Sequence, residues 1–154
     1  MENLNQDNNK KFRNLVTEIQ KEEYHTAVNN FLKNNSSFKS RFDTKEGNIG
    51  FRVITARSSR CLVINSDLGN VPECLSHSFE QVFSLDCVEK ISIQEQRFNS
   101  KNIKNINLIK DELEIDSFPD RYFDLIVVNG LNYNSKKNTL EFFEKIKNFL
   151  TKDG

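Results

Sequence analysis

The sequence predicts an α/β fold, a parallel sheet with helices on both faces, entered from a helical N-terminal segment. Three observations carry this reading. Short runs that are almost wholly apolar recur at residues 61–64, 82–85 and 123–128, with a weaker one at 106–109. Near-continuous apolar strands are the kind buried on both faces of a sheet. The stretches between them carry helical spacing, and strands that alternate with helices assemble into parallel sheets.

Each element follows from local pattern. Phe12, Leu15, Val16 and Ile19 fall at i, i+3, i+4 and i+7, one face of a helix. Tyr24, Ala27, Val28 and Phe31 repeat the pattern after a slip near Lys21, so this is one bent helix or two short ones. The polar run Asn34-Asn35-Ser36-Ser37, and then residues 43–50, read as loop. Residues 51–56 are ambiguous between helix and strand. Cys61-Leu62-Val63-Ile64 reads as the first strand. Residues 70–79 read as a helix with Pro72 in its first turn, where a missing N–H does no harm. Val82-Phe83-Ser84-Leu85 is the second strand, and Val88, Ile91 and Phe98 suit a helix running to about Ser100. Ile106, Leu108 and Ile109 make the third strand, followed by a polar stretch over 111–121. Residues 123–128 make the fourth. Leu140, Phe143, Ile146, Phe149 and Leu150 define a last helix, with Asn138 and Glu141 spaced as a capping box at its start.

Composition limits what such a fold could do. The chain has 154 residues, 22 Lys+Arg against 22 Asp+Glu, 36% hydrophobic residues and a mean hydropathy of −0.63. That suits one domain. Interspersed charges summing to zero argue against a phosphate-tracking nucleic-acid binder and against a polybasic membrane-surface protein. No apolar run approaches the roughly 18 residues of a membrane span. The first ten residues are polar, with no secretory apolar region. Cys61, Cys74 and Cys87 have neither disulfide-framework nor metal-site spacing and read as reduced thiols, which places the chain in the cytoplasm. Two histidines, His25 and His77, without a Cys/His pattern give no expectation of a metal.

Ligands of open parallel sheets sit at the carboxyl ends of the strands. The residues there are 65–70, Asp86-Cys87, Asp111-Glu112 and Asn129-Gly130. Asp86 ends the second strand, 17 residues past Gly69. A carboxylate there can accept hydrogen bonds from both hydroxyls of a nucleotide ribose; equally, it can cap the following helix. The loop Asn65-Ser66-Asp67-Leu68-Gly69-Asn70 holds a single glycine. Asn and Asp are the next residues to tolerate left-handed φ, so Asn65 and Asp67 can keep the turn. They do not leave the empty space that glycine leaves against a ligand. Cys87 reads as a packing residue and not as a nucleophile.

Taken in order, these pieces resemble a class I S-adenosylmethionine-dependent methyltransferase of the small "type 11" kind. The stretch Phe118-Pro119-Asp120-Arg121-Tyr122-Phe123-Asp124-Leu125-Ile126-Val127-Val128-Asn129-Gly130-Leu131 is similar to the family's PFPDxxFDLVxxNGV around its fourth strand. Gln96-Arg97-Phe98 with Asn105-Ile106 resembles the approach to strand three. Val82-Phe83-Ser84-Leu85-Asp86 resembles the end of strand two, and Leu150-Thr151-Lys152-Asp153-Gly154 the turn after the last helix. The resemblance runs from about residue 50 to the end. It implies a Rossmann-like methyltransferase fold, with a helical extension over 1–48 and a partial domain over 49–154 that lacks the last strands.

The same resemblance implies S-adenosylmethionine as cofactor. Asp86 would hold its ribose, with Cys87 beside it, and Glu112 or its neighbour Asp111 would sit beside the adenine. Gly69 would serve the methionine-side loop together with Asn65 and Asp67, which stand where the family has glycines. Asn129 would face the transfer site, and no catalytic base is evident. The subset this most resembles acts on sugars or glycans, which implies a small-molecule or glycan methyl acceptor and neither nucleic acid nor a membrane span. The family's seven-stranded sheet implies that the fourth strand's edge is covered by a further C-terminal segment or by a partner. Two other readings remain: a non-catalytic pseudo-methyltransferase serving as a binding module, and another nucleotide-binding Rossmann domain.

Overall fold

The computed structural model describes residues 2–42, 58–110, 112–130 and 136–152. The chain opens with α1 (Glu2–Ile19) and α2 (Tyr24–Asn34), so the slip near Lys21 is a break between two helices. Glu23, extended at φ −61° and ψ 142°, makes the turn into α2. A 3-10 turn (Ser36–Phe38) and the short α3 (Lys39–Phe42) follow, where the polar run suggested loop. Phe38 explains the difference. It is buried against Phe12 and Phe31, and the helical turn points it inward.

Then come β1 (Ser58–Ile64), α4 (Asn70–Leu75), β2 (Phe79–Leu85), α5 (Val88–Ser100), β3 (Ile106–Ile109), a 3-10 helix (Glu112–Ser117), β4 (Leu125–Val128) and α6 (Lys136–Lys147). Among the described residues the sheet has four strands, all parallel, in the order β3-β2-β1-β4. It is the predicted α/β arrangement. The strand order reverses at β1, whose neighbours are β2 on one side and β4 on the other, and the carboxyl-terminal mouth of such a reversal is where open α/β sheets bind ligands.

Strand alternation sorts the core. Cys61, Val63 and Val82 face one side with Leu75 of α4 and Phe79. Leu62, Ile64 and Leu85 face the other, against Ile115, Phe123, Ile146 and Phe149. Both faces of β1 are therefore covered, and its residues 61–64 are at most 2% exposed. A third cluster joins the N-terminal helices to the sheet domain: Phe12, Leu15 and Ile19 of α1, and Tyr24, Ala27 and Val28 of α2, pack with Leu68 and Ile93 of α5. The salt bridge Arg13–Glu89 (2.8 Å) fastens α1 to α5 at the surface, and that partner holds the Glu89 carboxyl below its ordinary value.

Several boundaries differ from the sequence reading. The helix expected over 70–79 ends at Leu75, because Phe79 is the first residue of β2, paired with Ser58 and buried in the sheet core. The last helix ends at Lys147, not Leu150. Past it, tight turns aim Phe149 into the core, and Leu150 bridges Phe123 in parallel. Phe123 is thus spent on that bridge, and the β1–β4 ladder begins at Leu125. Asn138 lies inside α6 and not at its cap. Residues 43–57, Asp111, residues 131–135, Asp153 and Gly154 lie outside the described residues. With them lie the ambiguous segment 51–56 and one of the two residues expected beside an adenine.

The segment leading into β4 is structural. Phe118, Tyr122 and Phe123 pack edge-to-face or tilted around Phe83, and Arg60 lies 4.3 Å over the Tyr122 ring. Arg121 takes left-handed φ of 58°, and the next two backbone N–H groups both donate to the Phe149 carbonyl at 2.8 Å. Asp124 clamps the start of β4 to β1. Its carboxylate accepts from the Ser59 N–H (2.7 Å), the Ser59 hydroxyl (3.0 Å) and the Arg60 N–H (2.9 Å).

Candidate functional site

At the carboxyl ends of β1, β2 and β4 lies a cleft of about 720 Å³. Asn65 and Asp67 line it after β1, Asp86 and Cys87 after β2, and Asn129 and Gly130 after β4. The sequence-predicted residues from three separate loops therefore meet at one place. Gly69 lies beneath the loop and does not line the cleft. Glu112 opens the 3-10 helix after β3. The rest of the wall comes from elements that gave no functional signal: Asn8, Asn9 and Phe12 of α1, Arg41 of α3 and Lys90 of α5.

The first loop is shaped by three left-handed residues. Asn65, Asp67 and Gly69 have φ of 55°, 54° and 90°. Asn and Asp adopt this region more readily than other side chains, so a turn with a single glycine still forms. Gly69 answers a second demand. A Cβ on it would lie 2.7 Å from Phe98 Cζ and 3.1 Å from Gln94 Cγ, so only hydrogen lets α5 close on the loop.

A buried polar chain holds that loop against β2 and α5. Ser84 donates its hydroxyl to Gln94 Oε1 (2.6 Å), and Gln94 Nε2 donates to Ser66 Oγ (2.8 Å) and to the Asp67 carbonyl (2.7 Å). Ser66 returns two bonds to the Leu85 carbonyl. Arg97, 1% exposed, donates to Glu73 (2.7 Å), to the Leu68 carbonyl (3.1 Å) and to the Phe42 carbonyl (3.2 Å). It thus joins the loop, α4 and the end of α3. Lys101 adds a second cation to Glu73 at 2.6 Å. Every partner here is satisfied, which is what lets a buried charge stand.

Asp86 is the buried carboxylate of the cleft, 8% exposed. It accepts from the Asp67 N–H (2.7 Å), from the Cys87 N–H (2.8 Å) and from Lys90 Nζ at 3.0 and 3.2 Å. Of the two roles open to it, capping is the minor one: Cys87 is the N-cap residue of α5 and makes no side-chain cap bond, while the carboxylate points to the first loop and the cleft. A carboxylate offers about four acceptor directions. All four are in use, two by backbone N–H groups and two by a single side-chain ammonium, so Lys90 is the partner a ribose could replace.

Asp67 carries the second carboxylate. Arg41 grips it through both oxygens, with Nε at 2.6 Å from Oδ2 and Nη2 on Oδ1, and Lys90 Nζ lies 3.7 Å away. The Arg41 guanidinium is held 4.9 Å over the Phe12 ring and 5.2 Å over Phe38. The cleft therefore contains two cations and two carboxylates, already paired. Partial desolvation raises the Cys87 thiol above its ordinary value, so at neutral pH it is neutral and a poor nucleophile. Among the described lining residues no carboxylate is uncommitted and none is a histidine.

Lys90 and Gln94 left traces in the sequence. Lys90 stands four residues after Asp86, and Gln94 is a polar residue on the buried stripe of Ile91 and Phe98. Arg41 left none, being 26 residues from its partner in a segment without apolar periodicity.

No family model matches the chain, and no curated protein does. Solved structures do. The S-adenosylmethionine-dependent methyltransferase from Clostridium acetobutylicum superposes with a TM-score of 0.61 at 22% identity, over 85% of this chain and 55% of its own. A putative S-adenosyl-L-methionine-dependent methyltransferase from Methanococcus maripaludis gives 0.61 at 16%, over 84% and 61%. Phosphoethanolamine N-methyltransferase 1 of Haemonchus contortus, solved with phosphoethanolamine and S-adenosylhomocysteine, gives 0.56 at 22%, over 64% and 21%. The chain thus has the class I methyltransferase fold, and it spans less than two thirds of the length of each of these proteins.

Proposed function

We propose that the chain is the cofactor-holding part of an S-adenosylmethionine-dependent methyltransferase. The observation that carries this reading is the position of Asp86: a buried carboxylate on the cleft floor, at the end of the strand beside the sheet's reversal, in a fold shared with such enzymes. Two further features fit a nucleoside cofactor. The cleft volume lies within the roughly 300–1,000 Å³ of small-molecule sites. The Asp67 and Cys87 N–H groups fix the Asp86 carboxylate in the cleft, which supports a role in accepting two adjacent hydroxyls.

When bound, the cofactor supplies an electrophilic methyl group on a sulfonium. This chain's residues would do the rest. Asp86 would accept the ribose hydroxyls as Lys90 yields, the loop from Asn65 to Gly69 would carry the methionine end, and Phe12 would shield one wall from water. In-line displacement gains most of its rate from such positioning. Asn8, Asn9, Asn65 and Asn129 give the cleft neutral amides that both donate and accept. That lining favours a small hydroxyl-bearing acceptor, a sugar or glycan among them.

Titration calorimetry with S-adenosylhomocysteine tests the reading. Saturable binding is expected, weakened at least about tenfold by Asp86→Ala, which removes charge-assisted acceptors for two hydroxyls. Absence of heat at millimolar ligand would contradict it and leave the fold as a binding module without this cofactor.

A further inference from the structure

Lys90 stands where helix electrostatics disfavours it. It is the third residue of α5, in a first turn whose unbonded N–H groups and helix dipole repel a cation. Two carboxylates hold it there. Its Nζ lies 3.0 and 3.2 Å from the two Asp86 oxygens and 3.7 Å from Asp67 Oδ1. These two neighbours are unequally filled. Asp86 has all four acceptor directions in use. Among the described residues, the Asp67 carboxylate receives hydrogen bonds only from the Arg41 fork, one N–H on each oxygen, which leaves two directions for a further donor. The Asp67 main chain is pinned on both sides, by its N–H to Asp86 and its carbonyl to Gln94, so the two carboxylates keep their spacing around Lys90.

We infer that Asp67 is a positioning residue that receives the Lys90 ammonium when a vicinal diol takes its place on Asp86. This rests on the cofactor reading above and deepens it. In the empty cleft the ammonium keeps a buried carboxylate paired. When two hydroxyls donate to Asp86, the ammonium moves to the directions left on Asp67, and the acceptors of both carboxylates are filled again. The cation passes between neighbours already within ion-pair distance and is not driven into water, so the diol displaces it at little cost. A carboxylate in the first loop, where a neutral residue would turn the chain as well, is explained by this receiving role.

A double-mutant cycle tests this. S-adenosylhomocysteine, and 5′-methylthioadenosine, which has the ribose but no amino-acid end, are titrated by calorimetry into the full chain, Asp67→Asn, Lys90→Met and the double variant. Asn keeps the size of Asp67 and tolerates its left-handed φ of 54°, and circular dichroism melts check that the variants fold. Asp67→Asn is expected to weaken both ligands about fivefold where Lys90 is present, the scale of a part-exposed ion pair, and less than about twofold in the Lys90→Met background. Equal weakening in both backgrounds would make Asp67 a support of the loop and overturn the inference. A coupling seen with S-adenosylhomocysteine alone would overturn it too, since the effect would then belong to the amino-acid end. A second measurement needs no substitution: the Lys90 ε-methylene NMR signal is expected to shift along the same saturation curve as the ligand binds, and an unmoved signal would overturn the inference. Failure of the unsubstituted chain to bind either ligand would instead overturn the cofactor reading on which the inference rests.

Discussion

Gly69 meets two demands that no other residue type meets together. It sits at φ 90°, and its missing Cβ leaves the space that the Phe98 ring fills. Gly69→Ala is expected to destabilise the fold by at least about 2 kcal/mol, through left-handed strain and overpacking against α5, measured by urea unfolding. Its two left-handed neighbours behave differently, because Asn65 and Asp67 carry side chains that face open cleft. This much was legible in the sequence. A strand followed by a loop of Asn, Asp and one Gly announces a left-handed turn, whatever the turn later binds. What the side chains do was not legible. The Asp67 partner comes from α3, and a contact of that sequence separation has no local pattern to betray it.

Between elements, the most informative clamp is Asp124. Its carboxylate joins the start of β4 to the start of β1. Burial on its own would raise this carboxyl. The Arg60 N–H, the hydroxyl and N–H of Ser59 and the Arg60 charge together hold it below its ordinary value instead. A carboxyl lowered in the folded state adds stability that is fully present above its unfolded value, near 3.8, and is lost as pH falls through the folded value. Asp124→Asn is therefore expected to cost about 1–2 kcal/mol at neutral pH and to flatten the stability–pH curve below about pH 4, read by thermal melts across pH. The element limits that sequence misplaced share one cause. Phe79, Phe149 and Leu150 carry apolar side chains that suit helical spacing, yet each is claimed by the sheet through Ser58, the core or Phe123. Periodicity says that a residue is buried; only the pairing partner says in which element.

Across the whole molecule, a four-stranded parallel sheet and an N-terminal layer of helices are joined by buried apolar contacts and by Arg97, and the cleft opens where they meet. The α/β class was legible because it depends only on the alternation of apolar runs with helical spacing. The role of the N-terminal helices as a cleft wall was not, since amphipathic periodicity shows that a helix packs and not against what. None of the described helices is long and apolar enough to cross a membrane. The molecule's balanced charge is repeated in the cleft, where Arg41 and Lys90 face Asp67 and Asp86. A nucleoside that enters must rearrange that set, beginning with Lys90 on the Asp86 carboxylate, beside the two N–H groups fixed on it. The most direct test is therefore an amide NMR titration of the full chain with S-adenosylhomocysteine. The account predicts saturable shifts centred on the amides of Asp67 and Cys87, extending to Lys90 and Asn129. Shifts confined to the sheet's other end, or none at millimolar ligand, would contradict it.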